Sequence, residues 1–191
     1  FGLASAFAKE GSNLVITGRN EARLLEAKKK LEEGYGVKVL ALVADGADEV
    51  KIKEVIAKTV DTFGKINTLI NNAQTSKSGL SLIEHTKEDF DLAISSGLYA
   101  TFFYMKEAFP YLKESKGSVI NFASGAGLFG KLGQSSYAAA KEGIRGLSRV
   151  AAAEWGPDGV RVNIIAPLAM TESLTEWKEA YPELFAKTIQ G

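Results

Sequence analysis

Ser118-Val-Ile-Asn-Phe122, running on through Ala123-Ser124 to Ser135-Ser-Tyr-Ala-Ala-Ala-Lys-Glu142, is the stretch that decides the fold. Its first five residues are a short apolar run with the length and composition of a buried strand. From 135 to 155 alanine is abundant and Leu, Ile, Val and Trp recur at helical spacing, so this segment reads as a helix. Positions i and i+4 of a helix share a face, which makes Tyr137 and Lys141 neighbours. Ser124 falls at or just beyond the carboxyl end of the strand, the place where open α/β sheets bind ligands. A phenol is a poor acid or base at neutral pH, but a lysine cation held beside one favours the phenolate. Alone, Tyr-x-x-x-Lys is an ordinary surface pair on a helix. With Ser124 before it, the trio points to proton chemistry on a carbonyl or an alcohol.

On both sides of this stretch, helical patterns alternate with short apolar runs, without repeats or low-complexity tracts. Residues 2 to 10 read as a helix stopped by Gly11, and Leu14 to Thr17 as a strand. Asn20 is placed to cap a charged helix running to Gly34. Val37 to Val43 reads as a strand, 47 to 63 as a helix and Ile66 to Ile70 as a strand. Thr86-Lys-Glu-Asp89 resembles a capping box and opens a long helix expected to end or kink near Pro110. A strand at 160 to 165 and a helical stretch from about 172 complete the pattern. Strands at the rhythm of crossover units predict a doubly wound, mostly parallel sheet with helices on both faces, in one domain spanning 1–191. The chain opens on a helix already under way and has no closing strand. The expectation is a domain incomplete at both ends, lacking its first strand and its C-terminal strand.

Composition narrows the function classes. The 23 basic and 23 acidic residues balance, giving no electrostatic case for nucleic acid or an anionic membrane. Absence of cysteine excludes disulfides, thiolate catalysis and zinc-cysteine sites. The lone histidine, His85, excludes a multi-histidine metal site and reads as a solvated loop residue; no metal site is expected. No apolar stretch approaches the roughly 18 residues that span a bilayer, and a cytoplasmic protein is the expectation.

Asn71-Asn72-Ala73, the strand-end Ser124, Tyr137 with Lys141, Gly159-Val-Arg-Val-Asn163 and Pro167 occur in an order and spacing that resemble the short-chain dehydrogenase/reductase family over essentially the whole chain. The resemblance implies a Rossmann-type fold, a nicotinamide dinucleotide and hydride transfer to or from a small-molecule carbonyl or alcohol. It casts Tyr137 as the acid/base and Lys141 as the cation that eases its ionisation and binds the nicotinamide ribose. Ser124 becomes the hydroxyl that holds the substrate oxygen; otherwise it is a strand-end serine satisfying loop backbone. Asp45 matches the aspartate that contacts the adenine amino group, Asn71 and Ala73 the segment lining the adenosine ribose, and Pro167 the start of the loop over the nicotinamide. Asp45 also has a plainer reading as a helix-leading acid or turn residue, and Asn71 as a turn former after a strand. Residues 168–191 would begin the substrate lid, with Trp177, Tyr181 and Phe185 hinting at a carbon-rich substrate. The strand Leu-Val-Ile-Thr ends in Gly18-Arg19 with no acid, which favours NADP(H) over NAD; the alternative is an Arg19 that merely faces solvent. The aromatic helix from Tyr99 to Tyr111 and the one bearing Tyr137 would build a homodimer or homotetramer.

Departures from the family pattern bear on turnover. Of the glycine-rich phosphate turn, Phe1-Gly2 alone could represent the last two positions, Gly2 facing the pyrophosphate. Gln74 stands where glycine is usual, Leu168 where glycine follows the proline, and Gly97 where many members carry the asparagine of a catalytic tetrad. A nominal G-x-G-x-x-G at Gly125-Ala-Gly127-Leu-Phe-Gly130 reads as an irregular loop that opens no helix until about Ser135. The leading expectation is an NADP(H)-dependent oxidoreductase interconverting a secondary alcohol and a carbonyl. The competing ones are a nucleotide-binding sensor without turnover, and epimerisation or dehydration on the same fold.

Overall fold

Several helices begin where the chain supplies a local acceptor for their unpaired amides. The side chains of Asn20, Asp48 and Thr86 accept from the backbone N–H three residues on, and Asp89 returns a bond to the Thr86 amide, completing the capping box. Gly36 and Gly64 end two of these helices in the left-handed region, at φ 68° and 74°. The computed structural model describes residues 1–167, 172–183 and 185–186. Along them run α1 (Gly2–Lys9), β1 (Leu14–Gly18), α2 (Glu21–Tyr35), β2 (Val39–Val43), α3 (Glu49–Phe63) and β3 (Thr68–Asn71). A 3-10 turn (Leu82–Glu84), α4 (Lys87–Ala93), a π-helical turn (Ile94–Tyr99), α5 (Ala100–Ser115) and β4 (Ser118–Phe122) follow. The remainder is α6 (Gly125–Phe129), α7 (Ser135–Trp155), β5 (Arg161–Ile165) and α8 (Glu172–Ala180).

All strand pairs are parallel. Instead of one ladder there are two, β1-β2 and β3-β4-β5, and among the described residues none pairs β1 with β3. On the three-stranded side Ile56, Met105, Ala108, Leu112, Val119, Ala151 and Val160 form the larger core, bringing α3, α5 and α7 onto the sheet. On the other side Ala8, Leu31 and Val39 join α1 and α2 to β1 and β2. Helices thus cover both faces of a Rossmann-type α/β fold, as the alternating pattern implies.

Three expectations are corrected. The helix from Thr86 does not end at Pro110, which lies inside α5 between the fully buried Ala108 and Leu112. Burial of that face holds the helix together despite the lost backbone bond. The irregularity comes earlier, as the π-helical turn at 94–99. A helix does open at the glycine-rich segment: α6 starts at Gly125, capped by Ser124, and closes at Gly130 with φ 59°. His85 is half-buried, its ring edge-on to Phe90 at 5.7 Å and Nδ1 lying 3.1 Å from the Ser81 carbonyl oxygen. Leu168 lies outside the described residues, as does part of the expected lid.

Candidate active site

The end of β4 and the start of α7 are bolted together by cations reaching back to the strand. Lys141 is 4% exposed, and its Nζ donates to the carbonyl oxygen of Phe122 at 2.7 Å. One turn further along α7, Arg145 approaches the Ser124 carbonyl at 3.5 Å and binds Glu142 through Nε at 3.0 Å. These bonds seat the helix on the strand end, so that Tyr137, half-buried on the same face, lies with its ring centroid 5.5 Å from Lys141 Nζ. Burial pushes the Lys141 ammonium down to about 8, because a desolvated cation is penalised. The neighbouring ring face offsets part of that penalty.

Ser124 accepts from the Ala126 amide at 3.1 Å as the cap of α6. The plain reading, a strand-end serine satisfying backbone, is therefore realised. It does not compete with chemistry: a hydroxyl that accepts a bond still has its own O–H to donate, and the cap fixes where the oxygen sits. The G-x-G-x-x-G is not a phosphate cradle, because a β-carbon at Gly127 would meet the Glu142 carboxylate at 2.5 Å.

Arg19, Asp45, Asn71 and Ala73 lie at or just after the carboxyl ends of β1, β2 and β3. Arg19 is exposed just beyond β1 and donates to Thr75 Oγ1 at 3.4 Å, linking the end of β1 to the loop after β3. Asp45 follows β2, its carboxylate accepting from the Ala47 amide at 3.0 Å. The next residue, Gly46, lets this loop press on the helical layer, since a β-carbon there would lie 2.9 Å from Ala100 Cβ. Asn71 turns its side chain inward: Nδ2 donates to Asn121 Oδ1 at 2.8 Å, and Asn121 continues to Ser148 Oγ at 2.8 Å. The inward amide leaves Asn71 its backbone, rather than its side chain, to line a ribose. Ala73 is exposed after β3, Pro167 is exposed after β5, and Gly2 starts α1 with open space around its Cα.

Sequence reasoning missed Arg145, Thr75 and the Asn121 network. The i+4 spacing from Lys141 would have marked Arg145, whereas Thr75 and Asn121 carry no local signal. It also treated Gln74 and Gly97 as separate departures. They meet: Gln74's amide lies over the Gly97 Cα, within 2.7 Å of where a β-carbon would be.

An apolar rim flanks this end of the sheet. Gly79 N–H donates to the Gly133 carbonyl at 2.8 Å, and Tyr181 lies against Gly79. Loop 74–86, the segment after α6 and the end of α8 converge there. They expose Leu82, Ile83 (94% exposed), Phe129, Leu132 and Tyr181.

Parallel strands whose polar groups collect at their carboxyl ends define a Rossmann-type nucleotide-binding protein. Comparison with known proteins sharpens that class: the short chain dehydrogenase family model matches residues 1–181, and the chain belongs to that family. It is an oxidoreductase acting on CH–OH groups with a nicotinamide cofactor. A 12alpha-hydroxysteroid dehydrogenase from a Clostridium species is 60% identical over 195 residues, covering 100% of this chain and 75% of the relative. Among solved structures, levodione reductase aligns with a TM-score of 0.88 at 33% identity, covering 96% of this chain and 73% of that one. NAD+-bound xylitol dehydrogenase aligns with a TM-score of 0.86 at 27% identity, covering 97% and 72%. Among the described residues no helix is long and apolar enough to cross a membrane.

Proposed function

We propose that this chain is an NADP(H)-dependent dehydrogenase that interconverts a secondary alcohol and a ketone on a rigid, carbon-rich substrate of the hydroxysteroid class, with Tyr137 as acid/base. The observation that carries the reading is Lys141, buried at the strand end between the Phe122 carbonyl and the Tyr137 ring. A buried cation in that position has a use if a neighbouring phenol must gain and lose a proton.

When bound, the nicotinamide supplies or accepts the hydride. In reduction the Tyr137 hydroxyl gives its proton to the carbonyl oxygen as that oxygen acquires charge, and Lys141 steadies the phenolate left behind. Ser124 donates its O–H to the same oxygen, held for that role by the cap to Ala126. Oxidation runs the same proton path in reverse. An extended dinucleotide would lie along the carboxyl ends of β1 to β3. Gly2, with open space around its Cα, would leave room for phosphate at the start of α1, Asp45 and Ala73 would line the adenosine side, and Pro167 would lie beside the nicotinamide. Arg19 has one long bond, to Thr75, and guanidinium donors left for a ribose phosphate.

Substrate class rests on the 60% identity to the hydroxysteroid dehydrogenase and on the apolar rim of Leu82, Ile83, Phe129, Leu132 and Tyr181. We further propose residues 1–191 as one catalytic domain with α8 opening its lid, and the exposed Tyr99, Phe102 and Val150 as a homo-oligomeric contact. The test is a titration of the full chain with NADPH and with NADH by nicotinamide fluorescence, followed by oxidation of a 12α-hydroxysteroid with each oxidised cofactor. Tighter binding of NADPH and turnover that Tyr137→Phe lowers at least about 100-fold are expected. A Tyr137→Phe enzyme of undiminished rate would remove the proton-transfer assignment.

A further inference from the structure

Two cations on one face of α7 reach two carbonyls of the strand end. Lys141 Nζ donates to the Phe122 carbonyl at 2.7 Å, and Arg145 Nη2, one turn on, to that of Ser124 at 3.5 Å. The spacing fits: four residues of helix rise about 6 Å, and two residues of extended chain span about 6.6 Å. Ser124 is still extended, at φ −152° and ψ 148°, and Ala123 before it continues the ladder with its N–H on the Ile165 carbonyl. Lys141 already has a use beside Tyr137. Arg145 has none in the reading above, yet its side chain is drawn inward to 13% exposure.

Glu142 steers that guanidinium. Arg145 Nε lies 3.0 and 3.2 Å from the two carboxylate oxygens. An i,i+3 pair that served α7 alone would keep its cation in water, because drawing it in costs desolvation. Glu142 also lies along α6: a β-carbon at Gly127 would stand 2.5 Å from Oε1, 2.6 Å from Cγ and 2.9 Å from Cδ, so glycine is what lets the carboxylate rest there. The turn needs outside support. α6 has five residues, Gly125 and Gly127 among them, and closes on Gly130 in the left-handed region, and a helix so short and glycine-rich does not hold itself. Its cap is the Ser124 hydroxyl, which accepts from the Ala126 N–H. Whatever holds α6 and the Ser124 carbonyl therefore sets where that hydroxyl sits.

We propose that Arg145, steered by Glu142, is a positioning residue for Ser124: it fixes the strand-end backbone so that the serine O–H is aimed at the substrate oxygen. This rests on the reading above that gives Ser124 that role. The pair acts through Ser124 and takes no part itself in hydride or proton transfer. The test is a set of double-mutant cycles on oxidation of a 12α-hydroxysteroid by the full chain. Arg145→Met, Arg145→Lys and Gly127→Ala are each made alone and together with Ser124→Ala. Arg145→Met and Gly127→Ala, which displaces the Glu142 carboxylate, are expected to lower kcat about tenfold with the cofactor KM unchanged. Arg145→Lys keeps a cation for the carbonyl and should lose about threefold or less. Ser124→Ala should lose at least about 100-fold, and in its background the other changes should cost less than about twofold, because the group they aim is gone. If Arg145→Met does not fold, Arg145→Lys and Gly127→Ala carry the same comparison. Losses that multiply in the Ser124→Ala background, or variants at 145 and 127 with wild-type kcat, overturn the inference and leave the oxidoreductase reading intact. A Ser124→Ala enzyme of undiminished rate overturns the role given to Ser124 and the inference with it.

Discussion

Lys141 meets opposing demands. Its proposed role beside Tyr137 calls for a cation, yet 4% exposure penalises one and brings its titration down to about 8 from 10.5. Linkage turns this into a measurable sign. Between about 8 and 10.5 the unfolded chain holds the Lys141 proton and the folded chain releases it, so folding gains stability as pH rises through that window. Below about 8 both states are charged and the full desolvation cost stands. Urea denaturation of wild type and Lys141→Met at a series of pH values should show the difference moving in favour of wild type by about 2 kcal/mol between pH 8 and 10. A difference that stays flat would contradict the buried, shifted ammonium. Arg19 allows a second test at this scale. Its exposed guanidinium keeps donors for a phosphate, so Arg19→Glu should weaken NADPH at least about tenfold through charge repulsion while leaving NADH within about threefold, read by fluorescence titration. Equal weakening of both cofactors would assign Arg19 to general structure.

Among elements, legibility followed the range of the forces involved. The caps at Asn20 and Thr86 could be read because donor and acceptor lie three residues apart, and α7 could be read from 135 to 155 because its apolar spacing is internal to it. The π-helical turn and α6 could not. The first depends on Ser96 meeting Thr75 and on Gln74 meeting Gly97; the second depends on Ser124 turning its hydroxyl to Ala126. Tyr137, Lys141 and Ser124 were legible as a set, but the bond from Lys141 to the Phe122 carbonyl that seats them was not. The same holds for Asn121, which reads as a polar interruption in an apolar strand. It is fully buried and joins β3, β4, α5 and α7 through Asn71, Ser148 and the Met105 sulfur. Asn121→Ala would leave partners on three elements unpaired and open a small cavity. It should lower stability by about 2–4 kcal/mol in urea denaturation, whereas Ser148→Ala, which strands one partner, should cost about half as much. A loss at Asn121 no larger than at Ser148 would show that the network is not a joint between elements.

For the whole molecule, the described residues fall into two parallel ladders, β1-β2 and β3-β4-β5, whose buried clusters differ in size. The β3-β4-β5 side owns the larger core, with Leu112 and Val119 fully buried, while the β1-β2 side rests mainly on Ala8, Leu31 and Val39. Among the described residues the connections between the two sides include Tyr104, largely buried on α5 and within hydrogen-bonding reach of Thr17, Arg19 reaching Thr75, and Gly46 against Ala100. Local opening follows contact density, so β1 and β2 amides should exchange with solvent faster than those of β3 to β5 in the absence of ligand. A dinucleotide that touches Arg19 and Asp45 on one side and Ala73 and Lys141 on the other would tie the halves together. At about 100 times its dissociation constant it adds about 2.7 kcal/mol to the bound state, or roughly 100-fold slower exchange where opening breaks the site. Hydrogen exchange read by mass spectrometry should therefore show NADPH protecting peptides 14–19 and 39–45 more than 118–122, which is already stable. Arg19→Glu should lose that NADPH-dependent protection and keep the ligand-free rates. Protection confined to β3 to β5, or spread evenly over both ladders, would mean that the cofactor does not bridge them.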